Sequence, residues 1–261
     1  MSELHVQRAL RSGAHTIDSL ESTYAIKAKR HRSHPNLVLF KYNQIESPFG
    51  ERIVQECRGI ILDESDGWRV VSRAFDKFFN AGEGHAAEID WSTARVQEKL
   101  DGSLCTLFHY ADDWHVATSG TPDASGRIGP LERDFASLFW EAYHSTAESL
   151  LPGVRDFCFY FELTSPHNRV VVPHTETRLT LLGARHLEGG IEIGPDVASV
   201  MLYDFPYVRE FPLSGSESVA ASFATMSPLK QEGYVICDAT FNRIKVKHPG
   251  YVALHHAKGF V

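Results

Sequence analysis

The 261 residues carry 26 Lys and Arg against 33 Asp and Glu, a net charge of −7, with 43% hydrophobic and 23% charged residues. That composition excludes a peptide hormone, a collagen-like fibre and a disulfide miniprotein, and it allows one large domain or two modest ones around a sizeable core. No global basic field marks a nucleic-acid binder, so any polyanion must be held locally.

The charge is unevenly placed. Between Ser22 and Ile45 there is no acid, while Lys27, Lys29, Arg30, Arg32 and Lys41 fall there, and the chain has no acid after Asp238. Taken alone, such runs read as solvated faces. Cys57, Cys105, Cys158 and Cys237 form no C-x-x-C pair and lie in apolar segments, as reduced core thiols do. There is no signal-peptide core, no N-x-S/T sequon and no apolar run near the roughly 20 residues a membrane span needs, so the expected location is cytoplasmic, with no membrane partner.

In chain order, residues 5–30 carry a weak helical pattern, with Thr16-Ile17-Asp18-Ser19 placed to start a helix. A strand is predicted from Leu37 to Tyr42, and a hairpin joins Ile60-Ile61-Leu62 to Trp68-Arg69-Val70-Val71 through Asp66-Gly67. Leu104 to Tyr110 and Trp114 to Thr118 repeat the device around Asp112-Asp113. After Gly129-Pro130, Leu131, Phe135, Leu138, Phe139, Ala142 and Leu150 recur at helical spacing. Strands are expected at Asp156 to Leu163, Val170 to Val172 and Arg178 to Ala184. A helix is expected near Glu217 to Met226, then strands at Gly233 to Cys237 and Arg243 to Lys247, and a last helix after Pro249. Hairpins interrupted by a few helices predict an α+β fold of largely antiparallel sheets with flanking helices.

Walker-type, H-E-x-x-H and G-x-S-x-G signatures are absent, and no histidine pair has zinc-ligand spacing with a third ligand nearby. Gly82-Glu83-Gly84-His85-Ala86-Ala87 fits a loosened G-x-G-x-x-A but reads as a loop. The informative segment is Glu98-Lys99-Leu100-Asp101-Gly102-Ser103, a lysine at a strand end followed by a turn. A lysine amine attacks only when neutral, which calls for burial or neighbouring cations. Lys245 and Lys247, two apart on a strand, share one face and suit a polyphosphate. In Phe157-Cys158-Phe159-Tyr160-Phe161-Glu162 the phenylalanines mark a core side, leaving Glu162 opposite them, where a carboxylate suits a divalent metal or a ribose hydroxyl.

Together and in this order, these segments resemble the covalent lysyl-nucleotidyltransferase superfamily of ligases and capping enzymes. Lys99-Leu100-Asp101-Gly102-Ser103 matches its nucleophile motif K-x-D-G-S. Phe161-Glu162 is similar to its third motif, Glu232-Gly233-Tyr234-Val235-Ile236 to its fourth and Lys245-Val246-Lys247 to its fifth. The flanks resemble the RNA ligase 1-like family of T-even phages, to which tRNA ligase catalytic domains are related. Those flanks are Glu56-Cys57-Arg58-Gly59-Ile60-Ile61, Phe75-Asp76-Lys77-Phe78-Phe79-Asn80 and Ser165-Pro166-His167-Asn168-Arg169-Val170-Val171-Val172, and the resemblance runs from about Leu37 to about Val252.

The resemblance implies a nucleotidyltransferase, ATP-grasp-like ligase domain using ATP with Mg²⁺ or Mn²⁺. It implies an ATP-dependent RNA ligase that joins 5′-phosphate and 3′-hydroxyl RNA ends, such as those of nicked tRNA or other broken RNA, with a separate kinase or phosphatase healing the ends. Lys99 would be the nucleophile, with Lys245 and Lys247 catalytic beside it. Arg58, Lys77, Glu98, Asp101, Gly102, Glu162, Glu232 and Gly233 would bind nucleotide, Glu162 and Glu232 also serving a metal. Residues 1–36 are expected to be a helical segment packed on a 37–261 nucleotidyltransferase domain, with no separate C-terminal RNA-specificity domain. The alternatives are a capping-type guanylyltransferase, a DNA ligase, or an idle RNA-binding module. Phe79 reads as either a phosphate-site buttress or core, and Val170 to Val172 as either pocket lining or strand core. One departure stands out: where this ligase family often has a lysine in the short strand after the motif I hairpin, this chain has Thr118-Ser119-Gly120-Thr121, with no base until Arg127.

Overall fold

A computed structural model describes residues 3–128, 133–147 and 150–257. The chain runs α1 (His5–Arg11), α2 (Ile17–Tyr24), β1 (Ile26–Arg30), β2 (Leu37–Tyr42), α3 (Arg52–Glu56), β3 (Arg58–Asp63), β4 (Arg69–Ser72), β5 (Phe79–Asn80), β6 (Arg95–Lys99), β7 (Ser103–Tyr110) and β8 (Asp113–Thr118). It continues through α4 (Phe135–Ala147), β9 (Phe157–Thr164), β10 (Arg178–His186), β11 (Glu192–Ile193), α5 (Pro195–Met201), β12 (Glu210–Phe211), α6 (Ser216–Ser222), β13 (Gly233–Cys237), β14 (Arg243–Lys247) and α7 (Pro249–Ala257). Two compact units result: Met1–Lys77 with Leu104–Phe161 and Leu179–Tyr207, and Phe78–Ser103 with Glu162–Arg178 and Val208–Val261.

In the first unit an antiparallel sheet, β1-β2-β3-β4, is buried on both faces along most of β2 and β3. Ile26, Phe40, Ile60 and Leu62 pack with Val6, Leu10, Leu20 and Val54 from the helices. Leu37, Leu39, Ile61 and Val71 turn the other way, onto Phe108, Ala117, Cys158 and Tyr160 of the sheet β11-β10-β9-β7-β8. The segment 26–30, expected to continue a helical pattern, is strand, because pairing with β2 along Ile26↔Tyr42 to Arg30↔Val38 outweighs its weak local preference.

The two expected hairpins form, with different turns. Glu64–Asp66 coil into a 3-10 turn before Gly67 (φ 54°), and the second turn is Ala111–Asp112, both left-handed, with Asp113 already in β8. The phenylalanine-sided reading of β9 fails: Cys158, Phe159, Tyr160 and Phe161 are all fully buried, since β9 is central in its sheet and is covered on its second face by α4, where the Phe139 and Phe161 rings lie 5.4 Å apart. Gly129-Pro130 and Leu131 of the expected amphipathic helix lie outside the described residues, and Leu150 falls beyond the end of α4. The four cysteines are buried and none is disulfide-bonded.

The second unit is built on the sheet β12-β6-β13-β14-β5, antiparallel except for β5 against β14. Val96, Tyr234, Ile236 and Ile244 form its core face with Val219 of α6, which ends at Ser222, short of the expected Met226. No helix among the described residues is long and apolar enough to cross a membrane.

Candidate active site

The site of the second unit is set by register. β13 is central, with Gly233 opposite Lys99 on β6 and opposite Lys247 on β14, so the two lysines stand in one row across three strands. Adjacent strands are about 5 Å apart. The residue between the lysines has no side chain, and no other residue type fits there: Gly233 has φ +149°, and a Cβ would come within 2.1 Å of the Val246 carbonyl oxygen.

Glu232, one residue before that gap, fills it electrostatically. Its Oε2 lies 2.7 Å from Lys99 Nζ and its Oε1 2.9 Å from Lys247 Nζ, while the residue is 3% exposed. One buried carboxylate thus holds two ammonium groups side by side, and hydrogen bonds to charged partners of this kind are the strong ones. Lys245, two residues from Lys247 and on the same face, lines with it a cleft of about 470 Å³ that Asn80, Tyr251, His255 and His256 also border. The opposite face of β14 carries Ile244 and Val246 into the core.

The turn after Lys99 is held from two sides. The Gly102 N–H donates to Glu162 Oε1 at 3.1 Å. A Cβ on Gly102 would meet the Leu163 carbonyl oxygen at 2.4 Å, so the K-x-D-G glycine is required by close packing on β9. Gly102→Ala is accordingly expected to lower stability by about 2 kcal/mol, read as a lower urea midpoint.

Asp101, expected to bind nucleotide, is engaged here by three protein donors. Its Oδ2 accepts the N–H groups of Val171 and Val172 at 2.8 and 2.6 Å, and its Oδ1 accepts the Tyr251 hydroxyl at 2.7 Å. The carboxylate is 4% exposed and committed to protein donors, so it acts as a clasp between the motif turn, the 171–172 backbone and α7. The same bonds explain why Val170 to Val172, expected as a strand, bend instead: their amides turn to Asp101, and the valines pack with Tyr251 and Leu254. Burial pushes the Tyr251 phenol far above its ordinary value, and Glu232, Asp101 and Glu162 around it add to the shift, so it stays a hydrogen-bond donor. Sequence reasoning missed Tyr251; its signal was the helix start at Pro249, which placed a helix but not its buried face.

Glu98, also expected to bind nucleotide, faces away from Lys99. Alternation along β6 turns it to the side of Val96 and Tyr234, away from Lys99. Burial raises its carboxyl, opposed by Arg209 and His174. Phe79 is core, 6% exposed.

The remaining two predicted residues belong to the first unit. Lys77 Nζ lies 4.2 Å from the Phe49 ring centre and 5.0 Å from that of Tyr42, and the Arg58 guanidinium 6.0 Å from that of Phe75. Both cations lie near aromatic rings, Arg58 also hydrogen-bonding Tyr42 and Lys77 reaching Gln44 Oε1 at 3.4 Å.

A divalent metal does not fit Glu232 as arranged, because each of its oxygens already meets an ammonium. Among the described residues no group of three or more His, Cys, Asp or Glu side chains is placed to hold an ion. A Mg²⁺ ion, which in nucleotide sites commonly takes few protein ligands, would have to come with its phosphates.

The fold is the nucleotidyltransferase fold of ATP-dependent polynucleotide ligases. An archaeal ATP-dependent RNA ligase structure superposes with TM-score 0.59 at 14% identity, covering 98% of this chain and 66% of that one. A putative ATP-dependent DNA ligase from Aquifex aeolicus gives 0.55 at 14% identity, over 87% and 60%. Residues 56–251 match the family model described as RNA ligase, of the T4 type 1 kind, and the chain belongs to that family. Among its relatives, the RNA ligase of Rhodothermus phage RM378 is 29% identical over 87% of this chain and 66% of its own length. A putative bifunctional polynucleotide kinase/RNA ligase of Autographa californica nuclear polyhedrosis virus is 29% identical over 97% of this chain but 38% of its own. The chain thus spans between 38% and 66% of the relatives it matches.

Proposed function

We propose that this chain is the adenylating part of an ATP-dependent RNA ligase, and that the observation carrying the reading is Lys99 and Lys247 held on either side of the one buried carboxylate of Glu232. Lys99 passes a proton to Glu232, and the freed lone pair of its Nζ attacks the α-phosphorus of ATP in line. A P–N bond forms, the P–O bond to the β-phosphate breaks, and pyrophosphate leaves. Lys245 and Lys247 face the cleft in which the departing oxygens gather charge, and such phosphoryl transfers depend mainly on positioning and fixed cations. Arg58 and Lys77 serve as further phosphate contacts, an assignment that comes from motif resemblance.

In the second step a 5′-phosphate oxygen of RNA attacks the same phosphorus and the P–N bond breaks, returning Lys99 as an amine. In the third a 3′-hydroxyl attacks the activated 5′-phosphate, a phosphodiester forms and AMP departs. Family membership supports these steps. The viral kinase/ligase relative supports RNA ends made ready by a kinase, here a separate protein or domain. ATP, taken with Mg²⁺ as its counterion, and broken RNA such as nicked tRNA are the proposed substrates, in the cytoplasm.

The test is incubation with Mg²⁺ and ATP labelled at the α-phosphate. The expected result is a denaturation-resistant label, a gain of about 329 Da (AMP less water) mapping to Lys99, followed by release on addition of 5′-phosphorylated RNA. Label with GTP alone would mean a capping-type enzyme, and RNA binding with no label from folded protein would return the idle binding module.

A further inference from the structure

The acid-free stretch that reads as a solvated face in the sequence is not wholly solvated. In the first unit β1 and β2 pair so that Lys27 stands opposite Lys41, and β2 and β3 so that Lys41 stands opposite Arg58. Paired residues share a face, and Lys29, two residues from Lys27, shares it too. Ile26, Ala28, Phe40 and Tyr42 take the opposite face into the core. Lys27, Lys41 and Arg58 therefore form a row across three neighbouring strands, spaced by the roughly 5 Å between strands, with Lys29 on the same face about 7 Å along β1 from Lys27.

Lys41 is the inner member. Its Nζ reaches the turn after β8, 3.4 Å from where a Cβ on Gly120 would lie. The turn is itself fixed close to β3, because a Cβ on Gly59 would come within 2.8 Å of Ser119 Cα, and Thr118 Oγ1 accepts the N–H groups of Gly120 and Thr121. Burial lowers the Lys41 ammonium below its ordinary value, and Lys29 and Arg58 push in the same direction. No carboxylate offsets this. In the same unit Glu46 is engaged by Asn43, Glu56 by His5 and Arg52, and Glu64 by Arg30, and among the described residues no ion pair includes Lys27, Lys29 or Lys41. A partly desolvated ammonium among cations raises the free energy of the folded chain, a pattern that fits an anion binding there.

We propose that Lys29 and Lys41, with Arg58 beside them and the Ser119–Gly120 turn as floor, form a phosphate-binding row in the first unit whose ligand is a run of phosphates. From β2, Lys41 supplies an ammonium to that turn. An RNA strand offers phosphates in succession, and the triphosphate of ATP offers the same chemistry. The inference extends the ligase reading to residues outside its motifs, and it can be tested without any ligation.

Anisotropy of a labelled, 5′-phosphorylated single-stranded RNA, titrated in the absence of ATP over a range of salt, separates the sources when combined with the ATP dependence of self-labelling. Lys41→Gln is expected to weaken RNA binding about 10-fold irrespective of sequence and to reduce the salt slope by about one, with Lys29→Gln acting in the same direction. Lys41→Arg is expected to restore binding, and Lys230→Gln, an exposed lysine of the second unit, to change nothing. If instead RNA affinity holds and the ATP concentration needed for self-labelling rises about 10-fold, the row binds the nucleotide's phosphates. Because Lys41→Gln removes a repelled cation, its thermal midpoint is expected to equal or exceed that of the parent. A folded Lys41→Gln protein with unchanged RNA affinity and unchanged ATP dependence overturns the proposal, whether or not the parent seals RNA. RNA binding that fails with Lys41→Gln in a protein that never labels itself would overturn the ligase reading and leave this one standing.

Discussion

Lys99→Ala is expected to abolish covalent labelling by ATP, and Glu232→Gln to slow it about 100-fold with Lys99 still in place. The first outcome follows from the chemistry of the proposed step, since the label is a bond to Lys99 Nζ and the other lysines of the row have their own place at the cleft. Lys99→Arg is expected to be equally inactive, because a guanidinium stays protonated in proteins and offers no lone pair for attack. The second outcome follows from geometry. Glu232 accepts from Lys99 at 2.7 Å and from Lys247 at 2.9 Å, so glutamine removes both the proton acceptor for the nucleophile and the negative charge that keeps two ammonium groups together. Loss of a positioned acid-base group or of one preorganised electrostatic contact commonly costs a factor of 10² to 10³. Rates of label formation in single-turnover assays, with circular dichroism to confirm folding, check both. Labelling of Glu232→Gln at the parent rate would show that the bridge is structural only.

The chemistry was legible in the sequence wherever it is local. K-x-D-G-S, the paired lysines of β14 and Glu162 and Glu232 each sit in short, contiguous signals, and the turn, the alternation and the charge can be read without knowing the partner strand. What joins them is not local. That Lys99, Gly233 and Lys247 form one row depends on two inter-strand registers, and nothing in Glu232 itself says that its two oxygens will be divided between lysines on both neighbours. β1 reads Ile-Lys-Ala-Lys-Arg, too polar to declare itself a strand; it is one because of what it pairs with. β9 misled for the opposite reason. It is central in its sheet and covered on both faces, so its alternation gives way to a continuous apolar run. Asp101 shows the limit for a motif residue: its type follows the family pattern, but its role as a clasp is visible only once Val171, Val172 and Tyr251 are seen around it.

Asp101→Ala is expected to be the most destabilising single change in the second unit, by about 4 kcal/mol. Three donors lose their acceptor at once, two of them backbone amides of a bent segment with no strand to satisfy them, the third the buried hydroxyl of Tyr251. Hydrogen bonds to a charged group contribute about 1.5–3 kcal/mol each, and a simple sum overstates the loss because the segment can relax and admit water. Asp101→Asn should cost about half as much, since its amide oxygen still accepts from the two valine amides while the Tyr251 hydroxyl loses its acceptor. Tyr251→Phe removes only that last bond, so the asparagine and phenylalanine changes combined should cost less than their sum in a double-mutant cycle. Urea unfolding gives these differences directly. The ATP concentration dependence of self-labelling decides between clasp and nucleotide ligand: a clasp predicts that Asp101→Asn, assayed where it remains folded, keeps the parent's dependence on ATP, whereas a direct nucleotide contact predicts a weakened one at nearly unchanged stability.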